Sequence, residues 1–149
     1  MSVPKSVVKF KGGGVEYTSN VERTQYLLSE LIRAALRDVG RYVCRTFRRS
    51  YYAHFRRRSG QVGRFTQYWV RRKQAVPDLQ VGIKMNAFYG LLEEFGGRNT
   101  PRLGLLRAAV QNNIATIIEI ESQYLSGLED EARALSMISE EEYQGGGDG

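Results

Sequence analysis

One cysteine and one histidine are all that this 149-residue chain contains. A single thiol, Cys44, cannot close an intramolecular disulfide, so the fold stands without one. A metal site of the Cys/His kind needs three or four such ligands, and one of each does not supply them. Cys44 lies in a helical pattern beside Val43 and Phe47 and reads as a small buried hydrophobe. His54 follows ten residues later in the same pattern, about 15 Å along a straight helix, too far for a nucleophile–base pair. No phosphate-cradling loop is present either, because Gly12-Gly13-Gly14 lacks the following helix and lysine. The adjacent Glu93 and Glu94 diverge on a helix instead of converging on a substrate. No apolar run approaches the roughly 20 residues that span a bilayer, and the first ten residues hold no signal-like stretch. No catalytic residue, metal ligand or cofactor site is therefore assigned. No membrane contact is expected, and the chain reads as one that stays in the cytoplasm where it is made.

Acid is missing from one long region. Residues 41–73 hold 11 basic residues and no Asp or Glu. Residues 1–75 carry 17 Lys and Arg against 4 acids, while residues 76–149 carry 5 against 12. Such a split suits a polyanionic partner or a self-complementary assembly. Arg33, Arg37, Arg41 and Arg45 recur every four residues and stack along one helix edge, with Arg48 and Arg49 continuing it. Like charges at this spacing repel by about 0.2–0.5 kcal/mol per pair, so something negative is expected alongside. Arg56, Arg57 and Arg58, then Arg64, Arg71 and Arg72, extend the basic half. All of these are candidates to face a neighbouring subunit or DNA. Tyr68 and Trp69, set among arginines, could stack on bases, but aromatic residues in a strand more often pack.

By size the chain is one domain with a real core. Val7 to Lys11 reads as a short edge strand, residues 12–14 as a flexible break, and residues 1–18 together as an N-terminal arm. Ser19-Asn20-Val21-Glu22 reads as a capping box with Ser19 as the cap. A helical period follows through Leu28, Leu31, Ile32, Ala35, Val39, Tyr42, Val43 and Phe47, ending between Ser50 and Arg58. Gly40 interrupts it, which marks a bend or a close contact. Residues 59–63 read as a loop, Arg64 to Lys73 as a strand, and Leu79, Val81 and Ile83 as the buried side of a second strand. The fold expected is α+β. A long N-terminal amphipathic helix and a C-terminal helix pack on a small antiparallel sheet built around this β-hairpin, over residues 19–128. Residues 129–149 read as an acidic, glycine-rich tail, disordered at its end.

The organising stretch runs from Ala87 to Ala109. Asn86 is placed to cap a short helix whose apolar face carries Phe88, Leu91, Leu92 and Phe95. Gly96 supplies the helix-ending residue. Glu94 suits a structural role, accepting backbone hydrogen bonds around that corner. Thr100 as cap and Pro101 at the first position open the last helix, whose apolar side holds Leu103, Leu106, Val110, Asn113, Ile114, Ile117, Ile118, Tyr124, Leu125 and Leu128. Asn113 there needs a hydrogen-bond partner.

Phe88-Tyr89, Glu94-Phe95-Gly96 and the run from Pro101 through Leu106, Arg107 and Ala109 resemble the signature of the head–tail joining, or tail-completion, proteins of the phage neck. That family has an aromatic pair, a Glu-Phe-Gly turn, and a Pro-rich Phe-Leu-Arg-Pro-Ala run opening the last helix. Here Leu105 stands where Phe is usual, and Gly104 and Ala108 where Pro is usual. Upstream, Arg58-Ser59-Gly60-Gln61-Val62 is similar to the family's Arg-Thr-Gly-x-Leu step. The resemblance covers about residues 22–125. It implies a virion protein of long-tailed phages that forms a ring, six-fold, around the DNA path. Its neighbours would be the portal or adaptor protein on the head side and the tail tube protein on the tail side, with double-stranded DNA passing through. The competing reading is a nucleic-acid-binding module using residues 41–73, whose affinity would fall steeply with salt. The acidic C-terminal half favours the joining protein, since a simple DNA-binding module does not need it. An enzyme rests on nothing but size.

Overall fold

A 35-residue helix, α1 (Val21–Phe55), dominates the N-terminal half in the computed structural model of the chain. The structure describes residues 4–5, 7–12, 15–19, 21–55, 61–71, 76–99 and 101–144. Along α1 the residues Leu27, Leu31, Ala35, Val39, Val43, Phe47 and Tyr51 recur every four positions, and all are buried. The chain is α+β, mostly helical with small two-stranded antiparallel sheets. It divides into two compact units, residues 1–34 with 122–149, and residues 35–121.

In the first unit, β1 (Val7–Gly12) and β2 (Val15–Ser19) pair antiparallel, with a register slip between Val8 and Phe10. Ser19 is paired with Val7 and ends β2. The side chain of Ser19, the expected cap, and the whole of Asn20 lie outside the described residues. A 3-10 turn, Ser126–Glu129, leads into α6 (Glu131–Gln144). Leu27 and Leu31 of α1 and Ala134 of α6 form a small core with Tyr26, Tyr124, Leu135, Met137 and Ile138 against it. The stretch read as an acidic tail is thus largely this helix. Ala134 and Ile138, four apart, give it an apolar edge, and the Asp130 carboxylate accepts the Ala132 N–H at its start (3.0 Å). Arg23 pairs with Glu131 in its first turn. Gly127, expected to end or kink a helix, sits buried in the 3-10 turn, where a Cβ would come within 2.9 Å of Met137 Sδ. The glycine-rich end, 145–149, lies outside the described residues.

In the second unit, α1 continues to Phe55 and is followed by α2 (Gln61–Phe65), β3 (Thr66–Arg71) and β4 (Asp78–Ile83). After a 3-10 turn, Met85–Ala87, come α3 (Phe88–Phe95), α4 (Leu105–Gln111) and α5 (Ile114–Leu125), whose residues up to Glu121 belong here. Val39, Val43, Phe47 and Tyr51 meet Val62, Ala87 and Ala109 in the core. The hairpin runs in register from Thr66 opposite Ile83 to Arg71 opposite Asp78. Leu79, Val81 and Ile83 pack on the core, as alternation required, and Trp69 faces outward opposite Gln80. Residues 61–65 are helical rather than loop and strand. That turn buries Val62, and the Thr66 hydroxyl closes it by donating to Val62 O (2.6 Å). At Gly40, which α1 passes through unbroken, the structure shows a close contact. A Cβ there would lie 2.5 Å from Tyr68 Cγ, so the missing side chain lets the strand's aromatic ring lie against the helix.

The last helix is not continuous. It breaks at Asn112 and Asn113, where the Asn113 side chain is held from both sides. Tyr42 donates its hydroxyl to Asn113 Oδ1 (2.8 Å), and Asn113 Nδ2 donates to Ala109 O (2.9 Å). Leu106 and Ile117 pack inward, but Val110, Ile114 and Ile118 are exposed, contrary to the single apolar side expected.

Candidate interaction surface

The corner between α3 and α4 is built around one carboxylate. The apolar face expected on α3 was Phe88, Leu91, Leu92 and Phe95, yet Leu92 is 46% and Phe95 71% exposed. Among the described side chains of this stretch, the buried positions are Ala87, Gly90 and Glu94. Gly90 is closely packed, since a Cβ would meet the side chains of Ile83 and Val62 at 3.1 Å. Glu94 is turned inward because α4 needs it. Its Oε2 accepts the Leu106 N–H (2.8 Å) and its Oε1 the Arg107 N–H (2.9 Å). The opening N–H groups of a helix lack internal partners and carry the positive end of its dipole, so a carboxylate there is doubly favoured.

That arrangement corrects the expected helix start. α4 begins at Leu105, four residues after Pro101, and its N-cap is Gly104 at φ 61°, which has no side chain to offer. Glu94 caps the helix from a different element. Thr100, the expected cap, lies outside the described residues. At the start of α3 the N-cap position is Ala87 rather than Asn86, and it carries no side-chain cap. Gly96 ends α3 at φ 82°, donating to Leu92 O (2.8 Å), as a residue tolerant of positive φ should. The returning chain is tied back by Leu103 N–H to Glu93 O (2.8 Å) and Gly104 N–H to Glu94 O (3.2 Å). Glu93 is occupied as well, accepting from the Tyr51 hydroxyl (2.7 Å). Burial, and then this hydrogen bond, push the Tyr51 hydroxyl well above the ordinary tyrosine pKa. Tyr89 packs against the core, Ala109 is buried and Arg107 is exposed. The side chain of Phe88, and Ser59 and Gly60, lie outside the described residues.

The arginines divide into two groups. Arg33 pairs with Glu30, Arg41 with Asp38 (3.2 Å), and Arg71 with Asp78 across the turn end of the hairpin. Hydrogen bonding from Arg71 holds the Asp78 carboxyl below the usual carboxylate range. Arg48 is part of the fold itself, with Nε donating to Gly63 O and Nη2 to Thr66 O, both at 2.8 Å. It bolts α1 to both ends of the turn that starts β3, a role the sequence pattern did not signal. In contrast, Arg37, Arg45, Arg49 and Arg64 form no ion pair with a described residue, and the last three are exposed. Arg56, Arg57, Arg58 and Arg72 lie outside the described residues.

Cys44 is buried, and burial pushes its thiol pKa up against the opposing pull of Arg48. His54 is exposed, edge-on to Phe55. Among the described residues no group of three or more His, Cys, Asp or Glu could hold a metal ion, and no helix is long and apolar enough to cross a membrane. A hollow of ≈ 500 Å³ lies along β4, bounded by Gln67, Gln80, Gly82 and Trp69, which is 64% exposed. Tyr68, by contrast, packs against α1 at Gly40.

Set beside known proteins, the chain matches no protein-family model, no curated protein and no solved structure.

Proposed function

We propose that this protein is a structural component of a phage neck. In this reading it forms a homo-oligomeric ring, six-fold, that joins the portal or adaptor of the DNA-filled head to the tail tube and lets duplex DNA pass. It is made in the host cytoplasm, ends up in the virion, and acts by assembly rather than catalysis. The observation that carries the reading is the Glu94 latch. The resemblance rests on Glu94-Phe95-Gly96 and on Leu106-Arg107, two short motifs ten residues apart. The carboxylate of the first holds the amides of the second, so their spacing serves one rigid corner. Further support comes from what is left over. Arg45 and Arg49 stand exposed and unpaired among the described residues, in a chain whose C-terminal half is acidic.

A second reading, a nucleic-acid-binding module, is favoured by the exposed Trp69, whose ring offers a stacking surface for a base. Native mass measurement with negative-stain imaging, on nuclease-treated protein across a salt series, separates the two. The joining protein gives a closed ring free of nucleic acid, or a chain that assembles on purified portal complexes. A monomer that binds duplex DNA with a steep salt slope, and ignores portal complexes, overturns it.

A further inference from the structure

Helix α5 is apolar, yet none of its twelve residues is buried. Ile117 and Ile120 lean on the core of the second unit, while Ile114 and Ile118, one turn apart, are 51% and 55% exposed. Val110, one turn earlier on α4, is exposed too. The only charges on α5 are Glu119 and Glu121, both acidic. An isolated leucine or isoleucine on a surface is ordinary, but a helix that exposes a row of them marks a contact. On α1, Arg45 and Arg49 are also one turn apart, exposed, and without an ion pair to a described residue.

We infer that the Ile114–Ile118 face of α5 docks on the Arg45–Arg49 face of α1 in a second copy of this chain. The inference rests on the ring reading and names its contact. An arginine has an apolar stem and a charged head, so its methylenes lie along isoleucine while its guanidinium reaches a flanking acid. Charge also selects the geometry. Pairing α5 with α5 would bring Glu119 and Glu121 of two copies together, and pairing α1 with α1 would oppose arginines. Only the unlike pairing satisfies both faces. It is heterologous, so each copy keeps one free face of each kind and the contact propagates until a ring closes.

Disulfide trapping tests this contact directly. The variants Arg49→Cys and Ile118→Cys are purified separately, mixed and oxidised, with wild-type protein as the control for buried Cys44. The expected result is a covalent dimer from the mixture and none from either variant alone. Dimers from Ile118→Cys alone would mean α5 against α5 and would overturn the inference. So would a mixture that fails to cross-link although wild-type protein assembles, and that outcome leaves the ring reading standing. In sedimentation, Arg49→Glu should weaken self-association about tenfold or more, and adding Glu119→Arg should restore part of it, with melting unchanged. A wild-type chain that stays monomeric overturns the inference, and its binding to portal complexes then judges the ring reading separately.

Discussion

The corner between α3 and α4 and the outer edge of α1 are both places where charge gathers, and the two use it in opposite ways. At the corner Glu94 is 7% exposed, and both its oxygens are occupied by backbone N–H groups. On α1, Arg45 and Arg49 point to solvent with no described partner. The lesson is that a charged residue's role follows from what surrounds its head group, not from the pattern it belongs to. Arg48 makes the point within one residue of Arg49. Its guanidinium is satisfied by two carbonyls of its own unit, so it belongs with the corner and not with the surface that carries it.

The largest effect is expected from removing the latch. Glu94→Ala leaves the Leu106 and Arg107 amides without an acceptor in a buried place and strips the start of α4 of its negative charge. Hydrogen bonds to a charged group and the loss of a helix cap together suggest about 3 kcal/mol of destabilisation. Glu94→Gln keeps one acceptor oxygen and should fall between. Urea unfolding measures both. A Glu94→Ala protein as stable as wild type would erase the distinction between corner and surface.

Next in size is the contrast between neighbours. Arg48→Met should lose about 2 kcal/mol, because two carbonyls lose a charged donor while the apolar stem is kept. Arg49→Met should stay within about 0.5 kcal/mol, as an exposed substitution does. Thermal melts of the two, side by side, show whether stability and assembly are carried by different arginines of the same helix. Equal losses would place Arg49 in the fold and remove it from the proposed contact.

Much of this was legible in the sequence, and the failures have physical causes. The hairpin was readable because Leu79, Val81 and Ile83 alternate strictly and a two-residue period has one meaning. The long helix was readable for the same reason at a period of four. The inward face of α3 was not, because Phe95 and Leu92 are more apolar than Glu94, and only the arrival of α4 makes the acid the residue to bury. Glu94 itself was legible as a backbone acceptor, though not its partners, which lie 12 and 13 residues on. Arg48 was hidden inside a stripe whose regularity suggested one role for every member. The helical nature of residues 131–144 was masked by composition, since acids outnumber the few apolar residues that hold α6 in place.

The smallest effect is read from pH. Tyr51 donates to Glu93 beside the latch, and burial and that bond raise its pKa above the ordinary value. The folded chain therefore holds the tyrosine proton more tightly than the unfolded chain. Below the unfolded pKa, near 10, both states are protonated and this contribution to stability is whole. As pH rises past 10 the unfolded chain loses the proton first, and stability falls by about 1.4 kcal/mol per pH unit from this group until the folded hydroxyl also ionises. Tyr51→Phe should start less stable, having lost a hydrogen bond, and should lack that slope. The difference between the two proteins, followed by urea unfolding from pH 9 to pH 11, isolates Tyr51 from every other group that titrates there. Arginine keeps its charge across this range, so the Tyr51 contribution to stability falls while the arginine edge of α1 stays charged. A wild-type curve parallel to that of Tyr51→Phe would mean that the hydroxyl is free to ionise in the folded state and that the corner is open to water.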